Sequence, residues 1–154
     1  MYRPFGGITP LLFAAREGCI DCARALVEAG ANVNLTDPKG VTPLFLAIDN
    51  FHFDLAKYLI DKGADVTTSA FNGVTPLYAV LNIQWAPKSL YPSPKAYQQQ
   101  TLTYLDLMKV LLDKGADPNV RVQRKVWYQA YNSDFAGVDE SGATPFWRAA
   151  YASD

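Results

Sequence analysis

The sequence predicts an all-α fold, a solenoid of stacked helix-turn-helix units joined by β-turn fingers, in one domain over 1–154. Two recurrences predict it. Gly-x-Thr-Pro occurs four times, ending at Pro10, Pro43, Pro76 and Pro145, with the threonines 33, 33 and 69 residues apart. Gly-Ala followed by Asp or Asn begins at Gly30, Gly63 and Gly115, which lies 21 residues after Thr9 and after Thr42 but 40 after Thr75. Two markers in phase at a fixed period are the signature of a repeat architecture. The excess lengths place an insertion of 19 residues inside the third unit and one of 17 after it.

Each element has a local reason. Thr before Pro starts a helix: the hydroxyl accepts an N–H of the first turn, and Pro has its φ preset and lacks only a donor that would have no helical partner. In repeat one, about 5–36, the first helix carries Leu11, Ala14 and Ala15 at helical spacing and the second carries Cys22 and Leu26. Repeat two, 37–69, places Leu44, Ala47 and Ile48, then Leu55 and Leu59, at the same positions. Repeat three, 70–119, places Leu77, Val80 and Leu81 before its insertion at 84–102 and Leu107 and Leu111 after it. Gly30, Gly63 and Gly115 follow the second helices, where a left-handed residue ends a helix. Stretches such as Asp37-Pro38-Lys39-Gly40 join one unit to the next as turns. A finger insertion at 120–138 leads into a truncated repeat, 139–154, whose single helix is expected to form by docking on repeat three.

This pattern resembles the ankyrin-repeat family, whose unit begins Gly-x-Thr-Pro-Leu-His and closes on Gly-Ala-Asp. Thr9 to Gly18 and Gly115 to Asn119 match it closely, and the resemblance covers 5–81, 103–119 and 139–152. The family's His is Leu12, Phe45, Tyr78 and Trp147 here, so an apolar or aromatic contact is expected in place of its hydrogen bond to Thr. The resemblance implies a non-catalytic module that binds a protein partner through its concave face, made of finger tips and the exposed side of each first helix. Carried over by position, those surfaces hold Arg16 and Glu17 in repeat one, Pro38, Lys39, Val41, Asp49 and Asn50 in repeat two, and Phe71, Asn72 and Val74 in repeat three. The chain stops one helix into its fourth repeat, without the polar cap such stacks need, so it reads as a monomeric domain or as a piece of a longer protein.

Composition excludes several other functions. Fourteen basic and fifteen acidic residues leave a net charge of −1, so no overall field draws the chain to nucleic acid or anionic lipid. The longest apolar runs fall far short of the ~20 residues that span a bilayer, and the first residues lack the layout of a signal peptide. The cellular compartment is left open, since two cysteines are too few for a disulfide scaffold. Cys19 and Cys22 form a Cys-x-x-Cys at a helix start, a spacing able to lower a thiol's pKa. The structural reading is preferred, with Cys22 in the core and Cys19 in the turn. His52 is the one histidine and falls on the family's turn His. With no second His and no phosphate-binding glycine loop, catalytic residues, metal and cofactor are all expected to be absent.

The insertions hold the unusual chemistry. Eleven of the 20 aromatic residues lie from Trp85 to Tyr151. In the first insertion, Trp85, Tyr91 and Tyr97 are expected to cover their own repeat as a satellite core. In the second, Arg124, Lys125, Trp127, Tyr128 and Tyr131 form a candidate recognition patch, because Trp, Tyr and Arg anchor interfaces. Two rival functions are a small-ligand or glycan site walled by these rings and a structural spacer within a longer multidomain protein.

Overall fold

A computed structural model describes residues 7–84, 99–124 and 141–152. Seven helices lie among them: α1 (Pro10–Glu17), α2 (Ile20–Glu28), α3 (Pro43–Asp49), α4 (Phe53–Asp61), α5 (Pro76–Gln84), α6 (Tyr104–Asp113) and α7 (Pro145–Ala152). The first helices stack in the order α1, α3, α5, α7, and the second helices in the order α2, α4, α6. No described helix is long and apolar enough to cross a membrane.

All four Thr-Pro sites start a helix as the local argument requires. The hydroxyls of Thr9, Thr42, Thr75 and Thr144 accept from the backbone N–H of Leu12, Phe45, Tyr78 and Trp147 at 3.1–3.3 Å. The residues that replace the family's His pack inward: Leu12 and Tyr78 are buried, and Phe45 and Trp147 lie half-buried against the core. His52 occupies the N-cap position of α4 without a side-chain capping bond, and its Nε2 sits 3.2 Å from the Arg16 carbonyl of the preceding repeat. Its ring lies against Gly18, whose left-handed φ of +74° ends α1 and whose missing side chain leaves the space the imidazole fills.

The stack is densest in the middle. Leu44, Ala47, Ile48, Leu55, Ala56 and Leu59 are all buried, and α5 is buried from Pro76 to Ile83. The ends differ for a simple reason. Helix α2 has one second-helix neighbour, α4, so the expected core residue Cys22 is exposed, Leu26 is half-buried, and Ala23 is the residue of α2 that is buried. Cys22 is further joined to Cys19 by a disulfide rather than packed into the core. At the other end α7 packs on α5, and Phe146, the counterpart of buried Leu11, Leu44 and Leu77, is 78% exposed. Among the described residues, α7 packs against α5 of repeat three.

The first insertion is described only from Gln99 onward, and the expected satellite core of Trp85, Tyr91 and Tyr97 lies outside the described residues. The described stretch docks on repeat two. The Asp54 carboxylate accepts from the backbone N–H groups of Thr101 at 2.8 Å and Leu102 at 3.0 Å, and Gln100 Oε1 accepts from the Asp54 N–H at 3.0 Å. A helix N-terminus has N–H groups without helical partners, and here the arm supplies one acceptor and uses the acidic side chain beside it. Thr103 and Asp106 then form a reciprocal capping box that starts α6.

Candidate partner-binding surface

Three fingers project from the loops between repeats, and an equivalent backbone bond closes each one. In the first, the Asp37 N–H donates to the Val41 carbonyl at 3.0 Å, while the Asp37 carboxylate accepts from the N–H groups of Lys39 and Val41 at 2.8 Å. In the second, the Ala70 N–H donates to the Val74 carbonyl at 3.0 Å, and Asn72 Oδ1 accepts from the Val74 N–H at 3.2 Å. In the third, the Val122 N–H donates to the Ala143 carbonyl at 2.9 Å. Three residues separate the paired positions in fingers one and two, and twenty separate them in finger three. The bond pattern thus puts the extra length of the third finger between Val122 and Ala143. Arg121 braces its base by donating from Nη1 to the Gly142 carbonyl at 2.8 Å.

The fingers are joined into one row by their backbones. The Phe71 N–H donates to the Lys39 carbonyl at 3.1 Å, and the N–H groups of Gln123 and Arg124 donate to the Asn72 carbonyl at 2.8 and 3.2 Å. Gly73, at φ +81°, permits the second contact, because a side chain there would meet the Gln123 backbone nitrogen at 2.8 Å. Along this row Phe71 is 57% exposed, with Lys39 Nζ 5.5 Å from its ring centroid, and Arg124 is also exposed. A cation over an accessible ring gives a surface that offers both apolar area and charge.

Exposure at one position of the first helices falls along the stack. Positions four residues after each capping threonine are Phe13, Leu46, Ala79 and Arg148. Phe13 is 52% exposed, Leu46 is half-buried, and Ala79 and Arg148 are buried. The Arg16 guanidinium lies 4.6 Å from the Phe13 ring centroid, and its Nε is 2.9 Å from Glu17 Oε1. Phe13 was not identified from the sequence, because it occupies the variable position of the family motif. The Asn82 and Arg148 pair was missed as well: Arg148 Nε donates to Asn82 Oδ1 at 3.2 Å with both residues buried.

The candidate residues therefore divide. Arg16, Glu17, Phe71 and Arg124 are exposed, while Lys39, Val41, Asp49, Asn50 and Asn72 are half-buried. Asn50 donates to the Leu46 carbonyl at 2.9 Å and Asn72 is engaged within the finger row, so both spend polar groups on the fold. Val74 is buried and belongs to the core, which corrects its assignment to the recognition surface; its alternation in the finger turns it inward. Lys125, Trp127, Tyr128 and Tyr131, like Trp85, Tyr91 and Tyr97, lie outside the described residues. Among the described residues, no group of His, Cys, Asp and Glu is placed to hold a metal ion.

Burial also acts on two titratable groups. It lowers the His52 pKa, against smaller opposing effects from the Arg16 carbonyl and Glu17, so the imidazole is neutral at pH 7. It pushes the Asp49 carboxyl up to about 6, from an ordinary 3.8. The folded chain thus holds a proton that the unfolded chain releases near pH 4. This contribution to stability is complete below about pH 4 and is lost as pH rises through about 6. Asp49→Asn is expected to raise stability at pH 7 by roughly 1–3 kcal/mol, with parent and variant converging below pH 4. Urea midpoints at pH 4, 5 and 7 measure the difference, and a constant offset across that range would contradict the assignment.

Residues 2–70 match the family model described as Ankyrin repeats (3 copies). No curated protein matches the chain.

Proposed function

We propose, for a chain that carries the repeats of the ankyrin family, a non-catalytic role in binding a partner protein through its finger row and its concave face. Ankyrin repeats generally mediate protein–protein interaction. The observation that carries the reading is the continuous finger row, in which backbone bonds fix Lys39, Phe71 and Arg124 relative to one another. A loop backbone already fixed by hydrogen bonds has little freedom left to lose on binding, so contact area on it converts into affinity with a smaller ordering cost. In the sequence the second insertion follows Arg124 within the third finger, and its Lys125, Trp127, Tyr128 and Tyr131 are the residues proposed to distinguish this surface. The half-buried Asp49 and the exposed Arg16, Glu17 and Phe13 extend it along the first helices.

The affinity of point variants for the partner tests this reading. Trp127→Ala and Tyr128→Ala are each expected to weaken binding about thirtyfold, near 2 kcal/mol, while Trp85→Ala leaves it unchanged. Titration calorimetry on variants whose circular dichroism matches the parent reads the effect. Loss of binding in Trp85→Ala alone would place the interface on the first insertion instead.

A further inference from the structure

We propose that Cys19 and Cys22 form a reversible thiol–disulfide exchange site that reacts with an aliphatic thiol of the glutathione class. The two residues stand at the start of α2, Cys19 as its N-cap and Cys22 in its first turn, with Cα atoms 5.2 Å apart and the sulfurs bonded. The Cys22 N–H donates to Cys19 Sγ at 3.3 Å. A sulfur that receives a helix N-terminal N–H carries negative charge at lower cost, and a stabilised thiolate is a good leaving group.

Access separates this pair from a buried staple. Cys22 is exposed and Cys19 half-buried, whereas Leu55 and Leu107, at the position of Cys22 in the next two repeats, are buried. An incoming sulfur reaches the bond without opening the stack. The bridge encloses only Ile20 and Asp21, so it closes a very short loop and restricts the unfolded chain less than a long-range bridge would. Helix α2 contributes Ala23 to the core, and that contact does not depend on the sulfurs. The surrounding charges nearly cancel. Asp21 and Arg24 on α2 lie 3.8 Å apart, Arg16 and Glu17 at the end of α1 lie 2.9 Å apart, and His52 at the start of α4 is neutral at pH 7. The helix N-terminus is the field left to act on Cys19.

The exchange balances in two steps. A thiolate attacks Cys22 Sγ, the bond between the two cysteine sulfurs breaks, and its electron pair leaves on Cys19 Sγ, held by the Cys22 N–H. A second thiolate then attacks the outer sulfur of the mixed disulfide, forming the small-molecule disulfide and releasing Cys22. The two thiols are oxidised, the protein disulfide is reduced by two electrons, and the two protons end on the cysteines. Oxidation of the pair by the small-molecule disulfide reverses both steps.

The test uses the full chain in mixtures of reduced and oxidised glutathione, quenched with acid, alkylated and weighed by mass spectrometry. Both thiols are expected to appear together and reversibly while far-ultraviolet circular dichroism is unchanged. A bond that stays closed in millimolar reduced glutathione until denaturant is added would overturn the proposal. A second arm compares alkylation by iodoacetamide at pH 6. The Cys19 thiol of Cys22→Ser, which keeps the backbone N–H of residue 22, is expected to react about tenfold faster than the Cys22 thiol of Cys19→Ser. Equal rates would remove the role given to the helix N-terminus and overturn the proposal, and the titration of the parent chain needs neither variant to fold.

Discussion

Gly73→Ala is expected to destabilise the protein by about 2–4 kcal/mol, far more than a surface alanine normally costs. Two effects add. A left-handed φ of +81° is unfavourable for any residue with a Cβ, and this Cβ would meet the backbone nitrogen of Gln123 at 2.8 Å and the carbonyl of Arg121 at 3.3 Å. Neither neighbour is the end of a flexible side chain, so relief requires the third finger to move away from the second. Gly63→Ala separates the two effects. Its φ is +90°, and no described residue lies within 4 Å of the added carbon, so that variant carries the backbone cost alone, about 1 kcal/mol. Urea unfolding of both variants measures the difference. Equal losses would mean that the fingers do not meet as closely as the row requires.

Arg148→Ala is expected to loosen α7 from the stack, at a local cost of about 1–3 kcal/mol to the docking of that helix. Arg148 is fully buried, donates to Asn82, and occupies the position that Phe13, Leu46 and Ala79 hold in the other first helices. Truncation removes both its packing stem and a charged hydrogen bond inside the stack, and leaves Asn82 Oδ1 buried without that donor. Because α5 is the described helix that α7 packs against, the loss is expected to appear as local opening. Amide exchange across Pro145 to Ala152 should accelerate strongly, while α3 and α4 keep the protection of the parent. Matched acceleration in α3 and α7 would instead make the whole stack one cooperative unit. The double variant with Asn82→Ala should cost less than the sum of the single variants, since each alone removes the same buried hydrogen bond.

These two sites also mark where the sequence becomes hard to read. A Thr-Pro start depends on one side chain, one preset φ and the next three residues, so all four starts were legible without any tertiary information. Cys22 misled for the opposite reason. Its position is apolar and buried in repeats two and three, yet burial belongs to the neighbouring repeat as much as to the residue, and α2 has such a neighbour on one side only. Arg148 went unnoticed for a different reason. A charged residue on a helix reads as solvated, and only the packing of α7 on α5 turns it toward Asn82. The bond between Asp54 and the arm before α6 spans 46 to 48 residues and follows no period, so nothing local announces it. On the candidate surface, Lys39 and Phe71 were legible as finger positions, whereas the exposure of Phe13 and the burial of Val74 depend on which way each side chain leaves its element.

Site-specific photocross-linking in the cell tests most directly whether the finger row is the partner-binding surface. A photoreactive phenylalanine analogue at position 71 replaces a side chain that is 57% exposed on the row, and the same analogue at position 105 replaces Leu105, equally exposed on the second helix α6. The account predicts a discrete cross-linked protein from position 71, lost when Lys39→Glu is added, and none from position 105. A cross-link from position 105 with none from position 71 would contradict it and move the partner to the second-helix side of the stack.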